Sequence, residues 1–315
     1  FNVFPYGSNF NFMKLRWFSL AVAAIILLVG IGAMFVKGFD FALDFTGGTS
    51  VELRFSKPVD VDNVRSRLFA AGYESAQVQS FGSGNDLLVR LQPKPGVAPT
   101  DTAQTADDVV RVASTPENPA KRLNSGYVGP QVGRELALNG LYAVIFVVIG
   151  FLIYISIRFE WKFAVAAIIT TLHDVVVVAG WFAISGHEFD LTVLAGVLSV
   201  MGFSINDTIV VFDRVRENFR GMRATPEEVL NKSINQTLSR TVITSFVAFL
   251  TVLALYLYGG GSLRGMAESQ MIGIIIGTLS SIFVACPLLT MWFLKVTKQD
   301  LMPKAKDEAA LARRP

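Results

Sequence analysis

The stretch VLAGVLSVMGFSINDTIVVFDRVREN, residues 193 to 218, decides the class of this chain. It opens on about twenty residues nearly free of charge, the length a helix needs to cross about 30 Å of hydrocarbon, and closes on the boundary charges Asp213, Arg214, Arg216 and Glu217. A single acid interrupts the apolar part: Asp207 lies six residues, or about 9 Å of helix rise, inside Asp213. Runs of spanning length occur at 17–36, 136–157, 163–185, 189–212, 239–258 and 270–294, which predicts a polytopic α-helical membrane protein with six transmembrane helices. Composition points the same way. The chain is 52% hydrophobic and 17% charged with mean hydropathy +0.47, against about 25% charged in soluble domains, so an ordinary soluble enzyme does not fit.

The single cysteine, Cys286, rules out an internal disulfide, and two histidines with one cysteine cannot close a structural zinc site without many carboxylates. No cofactor or metal is expected. A net charge of +3 is too modest for a nucleic-acid partner. The run at 17–36 is apolar over a full span, so it reads as a retained anchor rather than a cleaved signal peptide. The chain starts at Phe1 and not Met, which leaves room for further residues or a fused partner upstream.

Lys and Arg set the orientation. With the amino terminus cytoplasmic, sixteen of the 28 basic residues lie on that side, and the two short loops opposite, 186–190 and 259–265, hold only Arg264. The other eleven lie in the long loop, which translocates regardless of charge. Both termini are therefore expected in the cytoplasm, with 1–16 as a cytoplasmic lead, 17–36 as the first span, 38–135 as an outer domain, 136–294 as spans two to six and 295–315 as a basic cytoplasmic tail that contacts anionic lipid or stays disordered. Trp161 with Arg158, Glu160 and Lys162 reads as an interfacial anchor.

Within 38–135, TSVELRF (49–55) alternates with period two, and residues 60–72 place Val61, Val64, Leu68 and Ala71 at helical spacing. AQVQSF and DLLVRLQ flank a turn at Gly82 to Asn85, a helix over 101–114 is capped by Thr100 or Asp101, and a last strand falls at 125–132. The order strand, helix, strand, strand, helix, strand predicts a small α+β domain of ferredoxin-like type. The Pro-, Asn- and Ser-rich stretches 93–99 and 114–121 read as loops.

Charged groups at span depth are costly and by default functional. Ser199, Gly202, Asn206 and Asp213 form a small and polar stripe expected to face other helices, with Ser204 and Asp207 on its flank. Arg240 opens the fifth span at the same membrane face, and two readings stand: it snorkels to the water, or it pairs with Asp207. Asp207 itself is either a switch of that kind or a neutral helix–helix tie. His173 and Asp174 sit near mid-span with Thr170 at i−4 from Asp174, as a proton relay or as an interhelical tie. Gly273 and Gly277, extended by Ser281 and Ala285, form a close-packing face, and Cys286 with Pro287 a buried bend. Asp213, Arg214, Arg216 and Glu217 also suit a solvated helix end.

Five motifs in order carry a resemblance: ALDFTGGTSVELRF (42–55), YVGPQVGRELALNG (127–140), TTLHDVVVVAGWFAI (170–184), SINDTIVVFDRVREN (204–218) and NQTLSRT (235–241). With the six-span layout they resemble the SecF family, the smaller membrane subunits of the bacterial SecDF protein-translocation complex, over about 11–295. The resemblance implies half of a resistance-nodulation-division transporter fold completed by SecD, in the bacterial inner membrane, with the outer domain periplasmic. It implies coupling of the proton-motive force to export of preproteins emerging from SecYEG, with YajC and YidC as further partners. The family is neither an ATPase nor another enzyme, and no Walker motif is present. Residue by residue, the family's proton-path aspartate falls on Asp207 and its arginine on Arg240, with Asn206, Asp174 and Asp213 as supporting groups; the second carboxylate of the path belongs to SecD. The DFTGG turn falls on Asp44 to Gly48, where Gly47 and Gly48 suit a sharp structural turn between span and strand. The rival readings are another proton-coupled exporter half of the same superfamily, an intramembrane aspartyl protease with Asp174 and Asp207 as its dyad, and a scaffold with no proton role.

Overall fold

The computed structural model describes residues 9–74, 76–81, 84–91, 102–297 and 300. Among these, six helices are long and apolar enough to cross a membrane: Phe12–Val36, Gln131–Arg158, Trp161–Ser185, Leu191–Gly221, Pro226–Tyr258 and Leu263–Leu288. In chain order the elements are α1 (Arg16–Val36), β1 (Asp40–Phe41), α2 (Leu43–Thr46), β2 (Gly48–Phe55), α3 (Val61–Ala70), β3 (Gln77–Phe81), β4 (Asp86–Leu91), α4 (Thr102–Ala113) and β5 (Ala120–Val128). There follow α5 (Pro130–Arg158), α6 (Trp161–Ser185), β6 (Glu188–Phe189), α7 (Leu191–Gly221), α8 (Pro226–Tyr258) and α9 (Gly261–Ser280). A π-helical turn (Ser281–Ala285) then joins α9 to the short α10 (Cys286–Leu288).

The long helices sort by what their sides touch. α5 leaves Phe146, Ile149, Ile153 and Ile157 exposed, and α1 leaves Trp17, Phe18, Leu28 and Phe35 exposed, so both present the apolar surface that suits lipid. α6, α7 and α9 are the inner helices, and α7 packs most extensively on α9. Small residues make the close approaches: Gly30 of α1 meets Gly180 of α6, and a Cβ at Gly273 of α9 would overlap the side chain of Val200 on α7.

Two helices outrun their hydrophobic stretches. α8 starts at Pro226, where Thr225 and Glu228 form a capping box, instead of near 239. The added turns are amphipathic: Val229, Leu230 and Ile234 pack with Val215 and Phe219 of α7, whereas Asn231, Lys232, Asn235 and Gln236 dilute the hydropathy. The leading segment is laid against this extension, since the Met13 amide donates to Asn231 Oδ1 (2.9 Å) and Asn231 Nδ2 to Asn11 Oδ1 (2.9 Å). The sixth span, expected to run to 294, ends at Leu288. Pro287 lacks an amide donor and crowds the preceding turn, so the π turn and the short α10 replace a regular helix there.

Between α1 and α5 the chain forms a four-stranded antiparallel sheet in the order β3-β4-β2-β5, with α3 and α4 on one face. That is the split βαβ topology expected from the sequence. Val51, Leu53, Val64, Leu68, Leu87 and Val89 are fully buried between sheet and helices, each contributing about 1.5–3 kcal/mol by leaving water. The last strand runs over 120–128 and not 125–132, so it takes in the end of the stretch expected as loop. The caps expected at Thr100 or Asp101, the loop at 93–99 and nearly all of the tail lie outside the described residues.

The other sheet face carries Ser50, Glu52, Gln79, Leu88 and Arg90, and looks across a cleft of about 700 Å³ at Asp190, Thr192, Arg264 and Glu268 on the helix ends. A second small sheet crosses this cleft, for β1 pairs in parallel with β6, Asp40 beside Glu188 and Phe41 beside Phe189. Phe39, Phe41, Phe45 and Phe189 stack around it. This pairing is not legible in the sequence, because two-residue strands carry no periodicity.

Candidate functional site

Two carboxylates are sealed among the inner helices. Asp174, on α6, is fully buried. Its Oδ2 accepts from Ser204 Oγ of α7 at 2.5 Å and from Ser280 Oγ of α9 at 2.6 Å, and its Oδ1 lies 2.9 Å from Nδ1 of His173. Three helices therefore meet on one acid. Thr170, expected as a local partner, donates instead to the Ala166 carbonyl at 2.8 Å.

Asp207, on α7, is 3% exposed and has a thinner shell. Ser245 Oγ of α8 reaches its Oδ2 at 3.4 Å, and Ser245 in turn receives Thr278 Oγ1 of α9 at 2.7 Å. Arg240 does not reach it. Arg240 is exposed, lies five residues before Ser245 on α8, and makes no ion pair among the described residues. Asn218 of α7 donates to Ser233 and Gln236 of α8. With the Asp207–Ser245 bond, this fixes the antiparallel register and puts Arg240 about one and a half turns from Asp207 toward the α7–α8 hairpin. The pairing read from the sequence is thus open in this conformation.

The remaining sequence candidates divide by face. Ser199 and Asn206 are exposed and Gly202 and Asp213 half-exposed, so the stripe expected to meet neighbouring helices looks out of this chain. Its flank, Ser204 and Asp207, is the buried side. Asp213 pairs with Arg158 of α5 at 2.7 Å, while Arg216 pairs with Glu160 at 3.0 Å, tying α7 to the end of α5 and the start of α6. Asp44 accepts the Leu191 amide at 3.3 Å, which helps start α7. Gly47 and Gly48 have φ of +72° and +133°, conformations that side chains avoid. Gly277 brings α9 against Ser204: a Cβ there would lie 3.3 Å from Ser204 Cβ and 3.7 Å from Asp174 Oδ2.

The sequence missed the serines. Ser204, Ser245 and Ser280 come from three helices, and nothing local shows that they converge on acids 30, 38 and 106 residues away. Only the structure marks one of them: Ser280 ends α9 next to the π turn, a deformation often found at functional positions.

Six spans, a ferredoxin-like insertion after the first, and buried acids on inner helices define a multi-pass membrane protein built as one half of a transporter-type bundle. The chain belongs to the SecD/SecF family of protein-export membrane proteins. The family described as protein export membrane protein SecD/SecF, C-terminal, matches residues 110–295, and the SecD/SecF GG motif matches residues 32–59. The protein translocase subunit SecF of Pseudomonas aeruginosa is 45% identical over 302 residues, covering 94% of this chain and 95% of that one. The subunit of the same description from Escherichia coli O157:H7 is 41% identical, covering 89% and 86%. The crystal structure of SecDF, a translocon-associated membrane protein of Thermus, superposes with a TM-score of 0.82 at 37% identity over 92% of this chain. This chain spans 40% of that one, and 39% of the protein translocase subunit SecDF of Brucella abortus.

Proposed function

We propose that this chain is the SecF half of a SecD–SecF unit of the bacterial inner membrane that uses the proton-motive force to promote preprotein export through SecYEG, with YajC and YidC as neighbours. Both termini are cytoplasmic, spans 17–36 and 136–294 cross the membrane, and the domain at 38–135 is periplasmic. Asp207 exchanges the proton, Arg240 is its counter-charge, and Asn206, Asp174 and Asp213 support the path. The fusion of both halves in SecDF relatives supports SecD as the partner, and the outward polar stripe Ser199, Gly202 and Asn206 is the surface it covers.

The observation that carries this reading is a buried Asp207 held, among the described residues, by one long hydrogen bond, with Arg240 on the adjoining helix but out of contact. A carboxylate beside a cation stays ionised, whereas one shut away from water without a cation takes up a proton. Moving Arg240 inward or outward then exchanges a proton. An aspartyl-protease dyad is disfavoured because Asp174 and Asp207 share no hydrogen bond, each being engaged by hydroxyl groups of other helices.

The test is secretion in cells carrying Asp207→Asn or Arg240→Met at normal protein level. Strong loss of proton-dependent export with SecD still bound is expected. Normal export by assembled variants would leave the scaffold reading standing.

A further inference from the structure

We infer that His173 and Asp174 form a second proton-holding pair, coupled to Asp207 across the hydroxyl-lined contact of α7, α8 and α9. The inference rests on the reading of Asp207 as a proton-exchanging group and adds a site to it. Asp174 is held by Ser204 on one side and Ser280 on the other. Ser204 stands one turn before Asp207 on α7; Asp207 receives Ser245, Ser245 receives Thr278, and Thr278 is two residues before Ser280 on α9. No hydrogen bond joins Ser204 to Asp207 or Thr278 to Ser280 among the described residues, so the two acids have separate hydroxyl shells that adjoin on α7 and α9.

The imidazole supplies the second observation. His173 is 8% exposed, its Nδ1 faces Asp174, and its Nε2 is buried with no partner among the described residues. Orienting the neighbouring carboxylate, which makes the ties to α7 and α9, needs only the first nitrogen. A buried ring nitrogen without a partner is unfavourable, and Nε2 is the atom on which a proton can arrive while Nδ1–H stays on Asp174. Uptake at Nε2 forms one N–H bond and turns the ring into an imidazolium beside a carboxylate, and release reverses the step. The carboxylate holds the ring orientation that this exchange requires.

Little else at this depth is charged. The elements packed on α6 are α1, α5, α7, α9 and the π turn. α1 offers only Arg16, at its start; α5 offers Arg134, Glu135 and Arg158 near its ends, with Tyr142 and Tyr154 turned outward; α9 offers Arg264 and Glu268 in its first turns; the π turn offers none. On α7, Asp213 and the charges after it lie at the far end, which leaves Asp207 as the acid facing the pair.

The chain has only two histidines, so the pair can be watched directly. The chain carrying His187→Asn and ¹⁵N-labelled histidine is assembled with unlabelled SecD in lipid nanodiscs, and the imidazole ¹⁵N shifts are followed from pH 5 to 9. The expected result is a transition between neutral ring and imidazolium at His173 that moves by about one pH unit in Asp207→Asn, the size at which two sites count as coupled, and moves less when Ser280→Ala is added. An imidazole fixed in one state throughout would overturn the pair as a proton site, and a transition indifferent to Asp207→Asn would overturn its coupling to Asp207. Because Asp207→Asn is also scored for export in cells, failure of the Asp207 reading shows there and failure of the pair shows in the spectrum.

Discussion

The carboxylate of Glu188, in the two-residue strand between α6 and α7, closes on the guanidinium of Arg90, in β4 of the outer sheet. Arg90 is 5% exposed and also reaches Gln79 at 3.4 Å. Burial pushes the Arg90 guanidinium below its ordinary value, against the pull of Asp40, Asp190 and Asp44 nearby. This pair fastens the sheet to the membrane helices at the point where β1 and β6 run side by side.

Replacing Arg90 by Met therefore leaves Glu188 uncompensated among other acids. The expected loss is about 3 kcal/mol, the scale for stripping one partner from a buried ion pair. Thermal unfolding and hydrogen exchange should both report it, with the amides of β1 and β6 exposed first. Glu188→Gln, which keeps the shape, should cost less; equal stability of wild type and Arg90→Met would show that the pair holds nothing.

Gly273→Leu tests the α7–α9 contact. A side chain there must displace Val200, and overpacking of this kind costs about 1–3 kcal/mol. Earlier loss of the monodisperse species on heating in detergent is expected, with partial recovery when Val200→Ala is added.

Gly48 and Gly38 both have positive φ, +133° and +73°, but a Cβ at Gly48 would also press into the Leu91 carbonyl while one at Gly38 meets nothing within 4 Å. Gly48→Ala should consequently destabilise the sheet domain more than Gly38→Ala, which carries only the backbone strain of about 1 kcal/mol or more. Reversal of that order in thermal unfolding would refute the close approach.

Arg54 holds Asp86 with two hydrogen bonds, at 2.7 and 2.9 Å, which keeps the Asp86 carboxyl below the usual carboxylate range. A depressed folded value stabilises above the unfolded one, about 3.9, and that contribution disappears as pH falls through the folded value. The difference in Tm between wild type and Asp86→Asn should thus be present at pH 7 and shrink below about pH 4. A difference constant with pH would assign the effect to packing alone.

What the sequence made legible was what repeats or stands out locally. Six apolar runs marked six helices, alternation marked β2, and an acid in a run of Val and Ile singled out Asp207. It also placed Asp174 inside, but not its serines, since their meeting is a property of helix packing over long separations. Asn206 and Asp207 show the limit of stripe reading: adjacent residues point about 100° apart, and only the packing of α7 on α9 decides that Asp207 turns in and Asn206 out. The early start of α8 escaped because its first turns bury only one side.

The side-by-side course of β1 and β6 also limits how freely the sheet domain can turn. The outer domain is rooted in the chain twice, after α1 and before α5, and the ribbon fixes it a third time, on the link between α6 and α7. A body hung from two cords can swing; one gripped also at the link between the helices bearing Asp174 and Asp207 has lost that freedom.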